Sequence, residues 1–287
     1  MLSKVSLQVA KNVIEYYKML HKGVILNKSK GRVIMSQTLL QPHIQCGVED
    51  AAPYALLPGD PKRVEHAKKY LTHVREIAFN REYKSIVGEY HGVKVMVIST
   101  GMGGASVGIA VEELQRIGVK AMIRIGSCGA LQKGMQLGDL LLVNGAVRDE
   151  GASKTYIDAI YPAIPDTELL MALIQKAKEK GIRYHIGKVR SHDSFYTDQE
   201  DEIDAFWSSK GILGADMESA ALFVIGALRG VKTASILNTV VTYEGDLEDG
   251  INDYVSGESK TAIGEKNEIL LALDTLVQWS KDEGGLK

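Results

Sequence analysis

The chain has few cysteines, no long apolar run and no surplus of either charge. Two cysteines among 287 residues are too few for a disulfide framework, so we expect Cys46 and Cys128 to be small buried side chains in a reducing compartment, the cytoplasm. No segment approaches the roughly 20 apolar residues of a membrane span. The net charge of -2 argues against a nucleic-acid binder, which is usually basic. The histidines lack metal-ligand spacing, so no catalytic metal is expected.

The first 34 residues form a segment of their own. Apolar residues recur at helical spacing from 1 to 21, with lysines between them. Two explanations remain open. Residues 1–34 are either an accessory helix or a translation artefact that precedes a true start at Met35. The remaining residues, 35–287, are of a length and composition typical of one domain.

From about residue 54, short β-rich runs alternate with amphipathic segments. This alternation predicts a single α/β domain with a central mixed, largely parallel twisted sheet flanked by helices. The predicted strands cover residues 54–57, 94–99, 121–125, 139–147, 184–190 and 233–241. The predicted helices cover residues 64–70, 106–117, 169–180, 217–228 and 261–279. Ligands of such sheets bind at the carboxyl ends of the strands.

Several predicted strands are followed by loops of glycine, arginine and small hydroxyl residues. These loops are 59–63, 101–104 and 124–129. The second enters a helix directly, which predicts backbone N–H groups free to face an anion. It matches neither the dinucleotide fingerprint nor the P-loop. A tight turn explains each loop taken alone.

Two charged residues lie in apolar surroundings. Arg124 sits inside an apolar strand, so its guanidinium needs a carboxylate or a phosphate as partner. Both an internal salt bridge and a phosphate site satisfy that need. Glu218 opens an apolar helix, where it either benefits from the helix dipole or accepts hydrogen bonds from a sugar.

Taken together, these segments resemble the nucleoside phosphorylase superfamily, which includes uridine phosphorylase and the hexameric bacterial purine nucleoside phosphorylases. The resemblance spans about residues 42–287. It rests on motifs in family order: Pro42-His43-Ile44, Pro58-Gly59-Asp60-Pro61-x-Arg63-Val64, Asn80-Arg81-Glu82-Tyr83, Ser99-Thr100-Gly101-Met102-Gly103, Arg124-Ile125-Gly126-Ser127-Cys128-Gly129, Ser194-Phe195-Tyr196 and Asp216-Met217-Glu218-Ser219.

The resemblance implies a phosphate site, a ribose site and a base site. Phosphate is assigned to Gly59, Arg63, Arg81, Arg124 and Ser127. Ribose is assigned to His43, Met217 and Glu218, and the base to Phe195, Gln199, Val240 and Val241. His43 and Arg81 are expected to come from a neighbouring subunit. Arg124 and Glu218 are the expected catalytic residues.

The implied reaction is phosphorolysis of a nucleoside to free base and ribose 1-phosphate, with inversion and without a covalent intermediate. Phosphate is a co-substrate, and no cofactor is implied. The three arginines speak against a hydrolytic nucleosidase, which has no need of a phosphate cradle. The implied assembly is a homo-oligomer, a hexamer built as a trimer of dimers. Glu82 and Ser106 match positions that hold a monovalent cation such as K⁺ between subunits.

The base is less clearly indicated by the sequence. Val240 and Val241 resemble the apolar wall of uridine phosphorylases, and an amide at Gln199 can pair with uracil. However, Asp201 and Tyr243 stand where those enzymes carry arginines. Uridine is the favoured substrate and a purine nucleoside is the alternative. For a purine, Glu244 or Asp246 would have to supply the missing acid.

Overall fold

The computed structural model describes residues 26–29, 32–35, 40–243, 245 and 259–285. The strands are β1 (Leu26–Ser29), β2 (Arg32–Met35), β3 (Tyr54–Pro58), β4 (Thr72–Asn80), β5 (Tyr83–Tyr90), β6 (Val93–Ile98), β7 (Ala121–Ala130), β8 (Leu140–Asp149), β9 (Tyr184–His192), β10 (Gly214–Asp216) and β11 (Lys232–Val241). The helices are α1 (Pro61–Lys68), α2 (Gly104–Ile117), α3 (Ala152–Tyr156), α4 (Thr167–Glu179), α5 (Glu200–Ser209), α6 (Ser219–Leu228) and α7 (Ser259–Gly285).

Nine strands form one sheet in the order β10-β9-β8-β11-β7-β3-β6-β5-β4. The pairs β3–β6, β3–β7 and β7–β11 are parallel, whereas β4–β5 and β5–β6 are antiparallel. The mixed α/β fold is thus confirmed. In addition, β10 pairs with β7 as well as with β9. Strands β7, β11, β8, β9 and β10 therefore close on themselves, which the sequence analysis does not predict.

The N-terminal segment contains a small hairpin. Strands β1 and β2 pair antiparallel with each other and are separate from the large sheet. The predicted helical stretch, residues 1–21, lies outside the described residues. The division of the chain at residue 34 stays a prediction.

Each predicted strand and helix overlaps an observed one, but the stretch around 126–129 differs. It is not a loop, because β7 continues through it to Ala130. It pairs there with β11 on one side and with β10 on the other. Strands β1, β2, β4, β5 and β10 and helices α3 and α5 were not predicted. Strand β4 is mostly exposed and lies at the sheet edge, so it lacks the clear alternation of a half-buried strand.

Two apolar clusters cover the two faces of the sheet. One is built largely from α2 and α6, and the other from α1, α4 and α7. Helix α6 is apolar on all sides and fully buried from Ser219 to Gly226, as expected for a helix enclosed by protein. Within the described ranges, no helix is both long and apolar enough to cross a bilayer.

Replacing Phe223 by alanine tests how firmly α6 is held. Phe223 is completely buried, so Phe223→Ala is expected to lower the free energy of unfolding by about 3–5 kcal/mol. Phe206→Ala is the control, because Phe206 is 52% exposed and its loss should cost less than about 0.5 kcal/mol. Denaturant unfolding of both variants checks this, and equal effects would contradict the packing of α6.

Candidate active site

A cavity of about 950 Å³ lies where the carboxyl ends of the parallel strands meet. Its lining includes most of the residues predicted to bind phosphate, ribose and base: Gly59, Arg63, Arg124, Ser127, Phe195, Met217, Glu218, Val240 and Val241. These residues are distant in sequence and come together because the parallel strands β3, β7 and β11 end on the same side, and because β10 runs antiparallel to β7 along its last residues. The position agrees with the general rule for ligand sites of α/β sheets.

Arg124 is held between two buried carboxylates. Its Nε donates to Asp216 at 3.3 Å, and its Nη2 donates to Glu218. Asp216 also accepts hydrogen bonds from the Ser219 backbone N–H at 3.0 Å and from the Ser191 hydroxyl at 2.6 Å. Asp216 is therefore saturated, and it fixes Arg124 from behind.

One donor of Arg124 is left over. Its Nη1 is buried and has no hydrogen-bond partner within the described part of the chain. A buried unsatisfied guanidinium nitrogen is costly, and Arg124 lines the cavity. Of the two alternatives that the sequence left open, the internal salt bridge is present, and the anion site stays a prediction. The remaining donor suits an oxyanion in the cavity.

Gly126 allows Arg124 this position. A Cβ on Gly126 would lie 2.6 Å from Arg124 Nη2 and 2.8 Å from Cζ, which is closer than atoms can approach. The strand therefore requires glycine here because a guanidinium folds back over the backbone. Gly126 was predicted to be a loop glycine, whereas in the structure it makes room for the Arg124 side chain.

Glu218 is the N-cap residue of α6 and is buried. Its Oε1 accepts the Gly103 N–H at 2.6 Å, and its Oε2 accepts the Met217 N–H at 3.1 Å. The Gly103 N–H, expected to be free for an anion, is thus already engaged by Glu218. Burial raises the pKa of Glu218, and the charge of Arg124 opposes that shift.

Arg63 occupies the other side of the same end of the cavity. Its Nη1 donates to the Ile125 carbonyl at 2.8 Å, and its Nη2 donates to Ser127 Oγ at 3.3 Å. Its Nε donates to Glu265 at 3.3 Å. Arg63 and Arg124 therefore both present guanidinium groups at the Ser127 end of the cavity.

Three predicted site residues lie outside the cavity lining of this chain. His43 has Nδ1 2.6 Å from Glu113, and Arg81 is an exposed residue between β4 and β5. Both locations are compatible with the expected role in a neighbouring subunit, which stays a prediction. Gln199 is exposed at the N-cap of α5, so the structure does not bring it to the base end.

The lining of the cavity also combines apolar and acidic groups. Phe195 and the two valines of β11 line it, together with Glu200, Asp201 and Asp204 of α5. Burial raises the pKa of Glu200 and of Asp204, and the charge of Asp204 raises the pKa of Glu200 further. Tyr243 also lines the cavity, whereas Glu244 and Asp246, the candidate acids for a purine, lie outside the described residues.

Glu82 and Ser106 do lie next to each other. Ser106 Oγ donates to Glu82 Oε1 at 2.6 Å, and the Tyr83 hydroxyl lies 3.1 Å from the same Oγ. Across the described ranges, no cluster of three or more His, Cys, Asp or Glu has the arrangement of a metal site. The monovalent cation between subunits stays a prediction.

Two residues that shape the site, Asp216 and Glu268, were given no role on the basis of the sequence. Asp216 lies in one of the motifs given above. The sequence feature that could have identified it is an acid two positions before Glu218, at the end of a short strand. Glu268 of α7 lies behind Arg63. Its signal is a charged residue on the apolar face of the last helix, next to Ile269 and Ala272.

Comparison with known proteins identifies the family. The sequence model described as "Phosphorylase superfamily" matches residues 53–263. The uridine phosphorylase of Thermococcus kodakarensis is 42% identical over 209 residues, which are 69% of this chain and 76% of that protein. The guanosine phosphorylase of Halorubrum lacusprofundi is 37% identical over 210 residues, which are 73% of this chain and 85% of that protein.

A solved structure agrees with the fold. The crystal structure of uridine phosphorylase from Vibrio fischeri ES114 is 44% identical and superimposes with a TM-score of 0.79, covering 85% of this chain and 100% of that one. The matched region contains the strands and helices that form the cavity. The chain belongs to the phosphorylase superfamily.

Proposed function

We propose that the chain is a nucleoside phosphorylase, a pentosyltransferase that uses phosphate to cleave a nucleoside into free base and ribose 1-phosphate. The observation that carries the proposal is the buried Arg124, which is held by two carboxylates and keeps one donor without a partner at the cavity. Arg63 and Ser127 lie beside it. Such a set of donors fits an oxyanion, each charge-assisted bond contributing about 1.5–3 kcal/mol.

The proposed reaction assigns a step to each group of the lining. Phosphate bound by Arg63, Arg124 and Ser127 attacks the anomeric carbon from the face opposite the base. Glu218, next to Arg124, binds the ribose hydroxyls, and its negative charge favours the positive charge that develops on the sugar. The bond to the base breaks, its electrons leave with the base, and the sugar product is inverted. Catalysis rests on position and electrostatics.

We further propose that the active form is a homo-oligomer, a hexamer built as a trimer of dimers. His43 would bind the ribose 5′-hydroxyl of a neighbouring site, and Arg81 its phosphate. Support comes from the position of both residues outside the cavity of their own chain. Glu82 and Ser106 would hold K⁺ between subunits. The two cysteines are buried and unpaired, which fits the cytoplasm.

Uridine is the favoured substrate. Support comes from the uridine phosphorylases among the relatives and from the apolar Val240 and Val241 at the base end. A purine nucleoside is the second candidate, favoured by the guanosine phosphorylase relative and by the acidic side chains in the lining. Asp201 is the residue that separates the two, because a carboxylate repels the carbonyl groups of uracil and accepts from the N1–H and the amino group of guanine.

Base release should depend on phosphate. A panel of uridine, thymidine, inosine, adenosine and guanosine is incubated with and without phosphate, and free base and ribose 1-phosphate are measured. Uridine turnover is expected in phosphate only, with one ribose 1-phosphate formed for each uracil. Full turnover in phosphate-free buffer would contradict phosphorolysis and support a hydrolytic nucleosidase.

Replacing Glu218 should impair the chemistry. Glu218→Ala is expected to lower kcat/KM by at least about 100-fold, equivalent to roughly 2.7 kcal/mol, because the sugar loses its anionic partner. Glu179→Ala is the control, since Glu179 is exposed and distant from the cavity in α4. Steady-state kinetics with saturating phosphate measure the effect. An unchanged rate would remove Glu218 from the mechanism.

Reversing the charge of Asp201 should improve uridine cleavage. Asp201→Arg places a donor at the base end and is expected to raise kcat/KM for uridine by about tenfold, the effect of one charge-assisted hydrogen bond. Glu202→Arg makes the same charge change at an adjacent exposed residue that does not line the cavity, and it should have little effect. If Asp201→Arg, but not Glu202→Arg, loses cleavage of a purine nucleoside and gains none of uridine, the purine nucleoside is the substrate.

A further inference from the structure

Glu268 is a fully buried acid behind the phosphate end of the cavity. It lies on α7, and its side chain has no exposed surface. Its Oε1 is 3.4 Å from Arg63 Nε, whereas Ser127 accepts from a different nitrogen of the guanidinium, Nη2. Glu268 does not line the cavity, so it acts on phosphate only through Arg63.

The surroundings of Glu268 do not favour its charge. Neither carboxyl oxygen has a hydrogen bond of normal geometry among the described residues, and the Gly126 N–H of β7 acts on the group only as a weak donor. Burial raises the pKa of Glu268 to about 8, and the charge of Arg63 opposes the shift. Glu265 on the same helix raises it further, while Arg124 and the Gly126 N–H of β7 lower it. Of the other groups nearby, His66 of α1 contacts Glu265, and the Cys128 thiol of β7 is buried.

The charge of Glu268 determines how much positive charge Arg63 offers to an anion. Arg63 already contacts Glu265. If Glu268 is also ionised, two carboxylates face one guanidinium, and the attraction for phosphate is reduced. If Glu268 is neutral, the net charge of Arg63, Glu265 and Glu268 together is more positive by one. An anion that enters the cavity therefore favours the protonated form of Glu268, because the anion and the ionised carboxylate repel each other.

We propose that Glu268 is a positioning residue for Arg63 and that it takes up a proton when phosphate binds. The neutral carboxyl keeps the Nε edge of Arg63 in place without cancelling its charge. The inference rests on the proposed phosphate site and adds to it a linkage between proton binding and anion binding. It predicts that anion affinity falls as Glu268 ionises.

Sulfate is the probe that tests this, since its charge is constant over the relevant pH range. Sulfate binding to the full chain is measured by calorimetry between about pH 6 and 9, around the pKa of about 8 for Glu268. Glu268→Gln keeps the shape and stays neutral. At about pH 6 it is expected to bind sulfate as the unmodified chain does, and at about pH 9 about tenfold more tightly.

Glu265→Gln is the matched comparison, because Glu265 also contacts Arg63 but is hydrogen-bonded and lies nearer to the surface. We expect it to change sulfate affinity by a similar factor at every pH. If Glu268→Gln shows the same constant factor, or weaker binding throughout, Glu268 is an ordinary ionised salt-bridge partner and the proposal is wrong.

Proton uptake by the unmodified chain provides a second measurement, which holds even if Glu268→Gln does not fold. Calorimetry near pH 8 in two buffers of different ionisation enthalpy should show protons taken up with sulfate. No uptake would overturn the proposal. Sulfate binding without any pH linkage would leave the phosphorylase function intact, whereas absence of sulfate and phosphate binding at every pH would count against the phosphate site itself.

Discussion

The pairing of Arg124 with Asp216 and Glu218 is the interaction on which the site depends. A guanidinium inside a buried strand is tolerated only if its charge is compensated, since an uncompensated buried charge costs several kcal/mol. The compensating acids come from β10 and from the residue that caps α6. The short strand β10 reaches this place because it pairs with both β9 and β7. The closure of the sheet thus has an electrostatic consequence at the active site.

The same arrangement joins the N-termini of two helices, α2 and α6, to the site. Glu218 accepts from Gly103, which is the N-cap of α2, while Asp216 accepts from Ser219 at the start of α6. The N-termini of these two helices therefore meet at one pair of carboxylates, where their dipoles stabilise negative charge. Because α6 is buried on all sides, the carboxylates have little freedom to move. This fixed geometry suits a reaction that depends on position.

The sequence predicts the parts of this site that follow from local pattern. A charged residue within an apolar strand identified Arg124, and an acid at the start of an apolar helix identified Glu218. The roles of Asp216 and Gly126 could not be predicted in this way, because they depend on the pairing of β7 with β10 and on a side chain that folds over its own strand. Helix α5 was not predicted because none of its residues is buried. A helix without a buried face needs no apolar residues at regular helical spacing, which is the pattern used to predict helices.

The two ends of the cavity differ in how their charges are balanced. At the phosphate end, Arg63 and Arg124 are each matched by buried acids and are held in place before any anion arrives. At the base end, Glu200 and Asp204 have oxygens without hydrogen-bond partners among the described residues. On the proposed function, the fixed positions of the Arg63 and Arg124 guanidinium groups suit phosphate, because the same anion is bound in every reaction. On the proposed function, the carboxyl oxygens of α5 without partners would favour a base that offers them donors, which places the selectivity between bases on this helix.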